Sequence, residues 1–436
     1  MRPMTLGSSI LLAPLVIALF TSVPASGQEG VHAFQGAEII PIAQEPIDEG
    51  VLVVRDGRIE GVGPQGEVSI PEDARIHDAS GKVIMPGLVD THSHAGGGDG
   101  GDGSAPIHGA VRILDALDVR DEGLARARAG GVTTKNIMPG SGHLMSGQTA
   151  YVKLRDGRTI YDLLFCDDPL EEVCGGVKMA NGTNPLASPP FPESRAKSAA
   201  LVRQRFVEAR EQLGGGGQPG ARDLEMEALR EVLDGERVVH FHTHRHDDVL
   251  TVLRLQREFG FRVVLHHVSD AWIVADEISG AEVPASIILV DAPGGKEEAL
   301  ETSFRSGAAL EEAGALVGFH TDDPITDSRF FLRQAAMAVR AGMSREGALE
   351  ALTLAGARMM DLEDRIGSLE EGKDADFIVL SGDPLSAYTV VEETWIDGRR
   401  LFDRSDPGDR MHAVGGDPGP DTGPGDEGRT DREGGR

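Results

Sequence analysis

The sequence predicts an α/β protein in which a (β/α)₈ TIM barrel carries a small composite β-sandwich domain. Two observations predict this fold. Short apolar runs alternate with helix-period segments through the middle of the chain, and β-rich segments with Asp-Gly turns stand at both ends of it. Strands that alternate with helices are typical of parallel β/α units, and eight such strands close a barrel.

The barrel is expected over residues 87–362. Its strands are read from the runs GLVDTHSH, GVTTKNIM, TAYVKL, GGVKMA, RVVHFHTH, FRVVLHH, SIILVD and ALVGFHTDD. Segments with helical periodicity lie between several of them, among them LVRQRFVEAREQL, DDVLTVLRLQREFG and KEEALETSFRSGAALEEAG. Barrel enzymes place their sites at the carboxyl ends of the strands, so polar side chains that follow these runs are the candidates for chemistry.

Residues 31–86 and 363–403 are expected to form the composite domain together. VLVVRDGRIEGVG alternates apolar and polar residues around Asp56-Gly57, which predicts a hairpin. The same pattern returns near the other end of the chain, in ADFIVLSGDP and in VVEETWIDGRRLF with its Asp397-Gly398 turn.

The first residues predict export. Arg2 precedes an apolar run over residues 10–20, and Val23-Pro24-Ala25 offers the small residues of a cleavage site, so residues 1–27 are interpreted as a signal peptide of a periplasmic or secreted protein. An N-terminal membrane anchor is the alternative. Other segments are not apolar enough to cross a bilayer, so stable membrane insertion is not expected after signal removal.

The net charge of the chain limits the classes of molecule that it is expected to bind. A net charge of −29 argues against nucleic acid as a partner and leaves a small-molecule substrate, while homo-oligomerisation stays open.

Residues 405–436 are rich in Gly, Pro and Asp and predict a disordered acidic tail. Cys166 and Cys174 share one connecting segment and form either a local disulfide or two unpaired thiols.

Histidines cluster where the candidate strands end. The first run ends in DTHSH, and residues two apart on a strand point the same way, so His92 and His94 can present two imidazoles as ligands for a divalent metal such as zinc. The fifth run offers His242 as a third ligand. His244 and Arg245 lie farther into the loop, where they can touch substrate.

Two further runs carry candidates. The sixth run ends in His266-His267, and its continuous apolar pattern does not decide which of the two faces inward. The eighth ends in HTDDP. Asp322 there is expected to bind metal and to move a proton between a metal-activated water and the leaving nitrogen, although a lone Asp in a loop is more often a helix cap. Asp323 is the better candidate for such a cap.

The sequence resembles the amidohydrolase superfamily. GKVIMPGLVDTHSH resembles its first-strand signature, and RIGSLEEGKDADFIVLSGDP resembles the segment that returns to its side domain. GGVTTKNIMPGS, GQTAYVKLR, HFHTHRHDDVLTVLRLQREFG, LHHVSDAWIVADEI and HTDDP resemble the imidazolonepropionase-related branch. The resemblance extends from about residue 36 to residue 403.

The resemblance implies a metal site and selects His267 over His266. The implied ligands are His92, His94, His242, His267 and Asp322. Many members also use a carboxylated lysine between two metals, and Lys178 stands at the matching strand end, where an ordinary lysine is the alternative. Related sequences often carry Glu where this chain has Thr183, so an alternative acidic ligand is missing there. One ion or two, and whether Lys178 is carboxylated, stay open.

The predicted function is metal-dependent hydrolysis of a carbon–nitrogen bond in a non-peptide substrate, a cyclic amide or amidine. Metal-activated water attacks the substrate carbon, Asp322 shuttles the proton, and the metal with a histidine, His267, stabilises the developing charge. The candidate substrate-binding residues are His143, Gln148, Asn181, His244 and Arg245. A metallo-dipeptidase of the same superfamily is the alternative, and a non-catalytic ligand-binding barrel is a third reading.

Overall fold

The computed structural model describes residues 30–98, 100–212, 223–289 and 296–415. The proposed signal peptide, residues 1–27, therefore lies outside the described residues, as does the tail from residue 416 onward. Among the described helices, none is both long and apolar enough to cross a bilayer.

The strands follow one another in chain order as β1 (Val31–Ile39), β2 (Ile47–Arg55), β3 (Arg58–Pro64), β4 (Arg75–Asp78), β5 (Val83–Pro86), β6 (Leu88–Ser93), β7 (Val132–Ile137), β8 (Met145–Gln148), β9 (Ala150–Lys153), β10 (Val177–Ala180), β11 (Val239–Thr243), β12 (Val263–His267), β13 (Ala285–Ile287), β14 (Val317–Phe319), β15 (Phe377–Leu380), β16 (Val391–Ile396) and β17 (Arg399–Asp403).

The α-helices are α1 (Glu122–Ala129), α2 (Arg195–Glu211), α3 (Leu224–Leu233), α4 (His246–Phe259), α5 (Ala275–Gly280), α6 (Ser306–Glu312), α7 (Leu332–Arg340), α8 (Arg345–Ala351), α9 (Leu354–Arg358) and α10 (Pro407–Val414). Helices and strands alternate from α3 to β14, so the described chain has an α/β fold, with mixed sheets.

One sheet combines strands from both ends of the chain. Its order is β17-β16-β15-β5-β1-β2-β3, with β4 paired to β1. Two Asp-Gly turns shape it: Asp56 and Asp397 have φ values of 50° and 49°, and the glycine after each also has positive φ. Asp and Gly tolerate this left-handed conformation better than most residues do. Phe34, Phe377 and Trp395 fill the core beneath, with Phe377 stacked on Trp395 at 5.5 Å between ring centroids.

The middle of the chain forms two further sheets. One has the order β14-β13-β12-β11-β10-β8, in which β10 to β14 are parallel, and the other has the order β6-β7-β9. The two meet at one edge through a parallel bridge between Ser93 and Asp323. Hydrogen bonds from Asp322 N to His92 O at 2.9 Å and from His94 N to Asp323 O at 3.0 Å extend this junction.

The expectation that TAYVKL is a parallel barrel strand was wrong. This run forms β9, which pairs antiparallel with β7, and β8 pairs antiparallel with β10. A parallel return needs a crossover of a dozen or more residues, usually with a helix. Only Thr149 separates β8 from β9, and no helix lies between β7 and β9 within the described chain, so the connection reverses the strand direction instead.

A buried ion cluster joins the composite sheet to the β6-β7-β9 sheet. Lys153, at the end of β9, is fully buried, and its Nζ lies 2.6 Å from Asp374 Oδ2 and 3.0 Å from Asp376 Oδ2. It also pairs with Asp397, in the turn between β16 and β17. The aspartates come from the return segment of the chain, so this cluster fastens that segment to the strand.

Two features lie toward the periphery. Cys166 and Cys174 form a disulfide, with their Cα atoms 5.2 Å apart, which decides between the two states that the sequence left open. Residues 407–414 were expected to belong to a disordered tail but form α10, and the predicted tail from residue 416 onward lies outside the described residues. Asp406 caps this helix by accepting hydrogen bonds from Gly408 N and Asp409 N, and Pro407 starts it.

Candidate active site

Histidines gather where the strands of the middle sheets end. Several of these histidines are buried. His92 and His320 are fully buried, and His242 and His267 are each 3% exposed. The parallel register of β11 and β12 pairs His242 with His266 and Thr243 with His267, so the fifth and sixth runs end at the same level. Asp322 follows β14 and is held level with His92 by its backbone hydrogen bond.

His92, His94 and Asp322 form the most compact group. Asp322 Oδ1 lies 3.3 Å from His92 Nε2 and 3.1 Å from His94 Nε2, and the two imidazole nitrogens are 3.3 Å apart. His94 Nδ1 bonds the carbonyl of Met138 at 2.8 Å, which turns Nε2 toward the carboxylate. Asp322 has a φ of 52°, in the left-handed region. The backbone hydrogen bonds from Asp322 N to His92 O and from His94 N to Asp323 O stabilise this conformation.

The protonation state of this group suits metal binding. Burial and nearby positive charge, chiefly that of Lys178, lower the pKa of His92 well below its ordinary value. Burial alone would raise the pKa of Asp322, but the hydrogen bond from His94 and adjacent positive groups hold it below its ordinary value. The imidazole is therefore neutral and the carboxylate ionised, the forms that ligate divalent ions.

Lys178 lies against this group. It is the second residue of β10, not the last as the sequence analysis expected, and it is fully buried, with Nζ 3.0 Å from His92 Nε2 and 3.1 Å from Met138 Sδ. Burial lowers the pKa of Lys178 to about 7. A substantial fraction of its amine is therefore unprotonated at neutral pH, as a ligand or a carboxylated side chain requires.

His267 and His242 complete the predicted set. The ring centroids of His242 and His267 are 4.4 Å apart, and His267 stands 4.7 Å from His92. The neighbouring His266 bonds His240 Nδ1 through its Nε2 at 2.9 Å, and its ring centroid lies 4.9 Å from that of His92. His240 in turn bonds the Tyr151 hydroxyl at 2.7 Å, so one ring nitrogen of His266 and both of His240 are occupied by these contacts.

Whether a metal ion fits this site can be judged from the buried polar atoms that have no hydrogen-bond partner. Within the described residues, His92 Nδ1, both ring nitrogens of His242, and His267 Nε2 are buried and make no hydrogen bond. Buried polar atoms are rarely left unsatisfied, and such atoms call for a ligand or ion. Imidazole nitrogens with one carboxylate oxygen are a donor set that suits zinc and similar divalent ions, so the residues fit a metal.

His320 is a site residue that the sequence analysis did not assign. Its Nε2 bonds His267 Nδ1 at 3.1 Å and its Nδ1 bonds Ser286 Oγ at 2.9 Å. Nitrogen atoms of His92, His267 and His320 lie within 4.8 Å of one another. It follows β14 directly, two residues before Asp322, and its place in HTDDP was the available signal.

A second unassigned pair supports the first strand. Asp90 and Lys135 are both fully buried, with Lys135 Nζ 2.8 Å from Asp90 Oδ2. Asp90 Oδ1 accepts a bond from Thr321 N at 2.9 Å, and Lys135 also donates to Ser93 Oγ at 2.9 Å. The pair thus ties β6 and β7 to the residue before Asp322.

The predicted substrate-binding residues divide into two sets. His244 is buried beside His242, with ring centroids 4.6 Å apart, and the amide of Asn181 donates to Asp248 O at 3.0 Å while its oxygen stays unpartnered. The structure does not bring the other three into the histidine cluster by any contact it records. His143 bonds Asp102 O at 2.7 Å, Gln148 bonds Gly109 O at 3.1 Å, and Arg245 pairs with Asp247.

The expectation that Asp323 caps a helix was wrong, because the next 3₁₀ turn, Ser328–Phe330, is capped by Asp327, which accepts a hydrogen bond from Arg329 N. Asp323 makes a different contact with this turn. Its carboxylate accepts hydrogen bonds from Ser328 N at 3.2 Å and from the Ser328 hydroxyl. Ser328 begins a short 3₁₀ turn ahead of α7.

Glu298 is the remaining unassigned residue near the cluster. The segment KEEALETSF was expected to be helical, but it forms a 3₁₀ turn at Glu297–Ala299, and a regular helix begins only at α6. The side chain of Glu298 is 1% exposed, and one of its oxygens lies within 4.8 Å of nitrogen atoms of His242 and His244. The structure adds this carboxylate to the site because the turn points it inward.

Comparison with known proteins places the chain in a family. The Amidohydrolase family profile matches residues 279–402. The crystal structure of an amidohydrolase from Thermotoga maritima MSB8 is similar over 85% of this chain and 100% of that chain, with 32% sequence identity and a TM-score of 0.78.

Two curated relatives extend the comparison. Amidohydrolase tasK of Hapsidospora irregularis is 28% identical over 82% of this chain, which matches only 39% of the length of that protein. An imidazolonepropionase of Deinococcus radiodurans is 26% identical over 81% of this chain and 92% of its own length. The chain belongs to the amidohydrolase superfamily, in its imidazolonepropionase-related branch, and is a hydrolase that acts on carbon–nitrogen bonds.

Proposed function

We propose that this protein is an exported, metal-dependent amidohydrolase that cleaves a carbon–nitrogen bond of a non-peptide substrate, a cyclic amide or amidine. The observation that carries the proposal is the convergence of Asp322 Oδ1 on His92 Nε2 and His94 Nε2, at 3.3 and 3.1 Å. An ionised carboxylate beside two neutral imidazoles provides metal ligands and a proton acceptor at one point.

The proposed metal is zinc, one ion or two. Its ligands are His92, His94, Lys178, His242, His267 and Asp322, with the carboxylation of Lys178 open. A divalent ion held by such residues lowers the pKa of a water molecule and polarises the bond to be cleaved. The buried nitrogens without partners on His242 and His267 support these assignments.

Asp322 is proposed to move the proton. Its carboxylate is ionised, and its Oδ1 accepts hydrogen bonds within the cluster, so it can take a proton from the attacking water and give it to the leaving nitrogen. Because His320 holds Nδ1 of His267, Nε2 is the nitrogen that faces the cluster. This atom serves either as a metal ligand or, when it carries the proton, as a hydrogen-bond donor to the charge that develops on the substrate.

The architecture proposed around this site is a closed barrel with a composite β-sandwich domain from residues 31–86 and 363–403. Two junctions between the middle sheets support closure. Ser93 bridges Asp323 at one edge, and at the other β8 and β9, one from each sheet, are separated only by Thr149. Such closure sets the strand ends in a ring, as the clustering of the histidines requires.

Export is proposed from residues 1–27 and gains support from the disulfide. Cys166 and Cys174 are bonded to each other, and disulfides persist in oxidising compartments such as the periplasm or the extracellular space.

The dipeptidase alternative needs a free positive charge for a terminal carboxylate. Arg245, a predicted substrate-binding residue, could supply this charge, but its guanidinium is paired with Asp247 at 2.8 Å, so it gives this alternative no support.

A substrate panel tests the proposed reaction. Zinc-loaded wild-type protein and Asp322→Asn are assayed on cyclic amides and amidines and on a set of dipeptides. We expect turnover of a ring substrate by the wild type and a loss of about 10²- to 10⁴-fold in kcat in D322N, because a general acid–base group contributes that much. Turnover confined to dipeptides, or equal rates in the two proteins, would reject the proposal.

A further inference from the structure

Three buried side chains beside the main histidine cluster direct unsatisfied atoms toward one another. Both ring nitrogens of His242, Nε2 of His244 and Oε1 of Glu298 are buried and make no hydrogen bond within the described residues. One ligand atom from each of the three lies within 4.8 Å of the others. Leaving a buried carboxylate oxygen and imidazole nitrogens without partners is costly, so the arrangement calls for a group that all three can bind.

The carboxylate of Glu298 is positioned by hydrogen bonds that use only one of its oxygens. Oε2 accepts hydrogen bonds from Thr183 N at 2.7 Å and from Arg195 Nη2 at 3.2 Å. Gly182 has a φ of 75°, and a Cβ there would stand 2.5 Å from Oε2, so the absence of a side chain makes room for the carboxylate. Oε1 is thereby left for the histidines.

The two imidazoles are also prepared for a ligand. Ser269 Oγ lies 2.8 Å from His244 Nδ1, which fixes the ring and leaves Nε2 free. The rings of His242 and His244 are nearly perpendicular, with their centroids 4.6 Å apart. Two histidines and one carboxylate are a frequent ligand set for divalent transition metals.

We propose that His242, His244 and Glu298 form a second divalent-cation site, so that Glu298 and His244 are metal ligands. The inference rests on the proposed function, because it assigns the second ion of that metal centre to these residues. The first ion remains with the other ligands of the proposed centre, which are His92, His94, Lys178, His267 and Asp322. Glu298 contributes a carboxylate from the 3₁₀ turn before α6, beside the backbone of Thr183.

Lys296 limits the affinity of this second site. Its Nζ lies 3.7 Å from Glu298 Oε1 and donates to Asn184 Oδ1 at 2.7 Å. An ammonium at this distance repels a divalent ion and competes for the same oxygen. The second ion is therefore expected to exchange under dialysis while the first is retained.

The test measures zinc binding to the protein as purified. Wild type, Glu298→Gln, Lys296→Met and His92→Ala/Asp322→Ala are dialysed against stepped concentrations of zinc chloride, and bound zinc is counted by elemental analysis. E298Q retains an acceptor for Thr183 N, and thermal unfolding checks that each variant is folded. We expect the weaker equivalent to bind at least about tenfold more weakly in E298Q and about tenfold more tightly in K296M.

The outcomes separate this inference from the proposed function. Loss of the weaker equivalent in E298Q, with its retention in the His92/Asp322 variant, supports the second site. Equal zinc uptake by E298Q and wild type would overturn the inference, even if the double variant lost its tight equivalent as the proposed function requires. Loss of the weaker equivalent in K296M would also overturn it, because removing a competing charge cannot weaken a genuine cation site.

Discussion

His320 Nε2 lies 3.1 Å from His267 Nδ1, and this contact orients a predicted ligand whose backbone is strained. His267 has a φ of 71°, in the left-handed region, so its main chain does not by itself favour the position that the imidazole takes. The bond from His320, itself anchored on Ser286, fixes which nitrogen of His267 faces the cluster. His320 therefore acts as a positioning residue.

Replacing His320 with Phe should weaken zinc binding. Groups that orient a metal-ligating histidine typically contribute about 10- to 100-fold in metal affinity, and Phe keeps the ring volume while removing both hydrogen bonds. Equilibrium dialysis with zinc measures the change. His412→Phe, at a histidine of α10, is the control and should bind zinc as the wild type does. Unchanged affinity in H320F would show that His267 needs no such support.

Replacing Lys178 with Met should lower the zinc retained after dialysis. The buried amine lies 3.0 Å from His92 Nε2, and its pKa of about 7 leaves much of it neutral and able to ligate metal or react with carbon dioxide. Elemental analysis of K178M beside wild type gives the stoichiometry. Lys82→Met, at a half-buried lysine of the composite sheet, is the matched control. A K178M protein with full zinc content would remove Lys178 from the ligand set.

Replacing Lys153 with Met should destabilise the fold strongly. The change leaves Asp374, Asp376 and Asp397 together without their buried cation, and breaking a buried ion pair in this way costs about 3–5 kcal/mol. Lys82→Met removes an ion pair with Glu392 that is about one-third exposed, and should cost about 1 kcal/mol or less. Urea unfolding measures both variants. Similar losses in the two would contradict the structural role of the cluster.

Acid should destabilise the composite sheet through His32 and His77. Their rings are 2.9 Å apart between Nδ1 and Nε2, and burial, the charge of His32 and the charges of Arg75 and Arg400 lower the pKa of His77 to about 4. The unfolded chain titrates this group near pH 6.5, so between about pH 6.5 and 4 it binds a proton that the folded chain does not. The free energy of unfolding therefore falls as the pH falls through this range, and the contribution levels off below about pH 4.

Thermal unfolding midpoints between pH 7.5 and pH 4 test the acid prediction. Phe is the informative replacement for His77, because His77 stacks on Phe34 at 4.4 Å between ring centroids and Phe preserves that packing without titrating. The H77F midpoint should depend less steeply on pH than that of the wild type. Identical slopes in the two proteins would assign the acid sensitivity to other groups.

The parts of the site that the sequence predicted are those with a strong local pattern. His92 and His94 alternate along a strand that ends in a loop, and strand periodicity alone brings both imidazoles to one face. The turns at Asp56 and Asp397 could also be predicted from a local pattern, because Asp and Gly suit the positive φ values that the structure has there. Such features need only near neighbours in the chain.

The parts that the sequence could not predict depend on contacts between distant segments. The sequence around Glu298 predicts a surface residue of a helix. In the structure the turn that holds Glu298 lies against Thr183, which is 115 residues earlier in the chain. The direction of β9 is set by the absence of a helical crossover before it, which the apolar run does not reveal. His266 and His267 lie on a strand buried on both faces, where alternation carries no information and only the resemblance favoured one of them.

Metal content tests the central claim most directly. Protein purified without chelator is compared with the His92→Ala/Asp322→Ala double variant by elemental analysis, with thermal unfolding to show that both are folded. The account predicts about one or two zinc ions per wild-type chain, with the tight equivalent lost in the variant. No bound metal in wild type, or equal metal in both proteins, would contradict a catalytic metal centre at His92, His94 and Asp322.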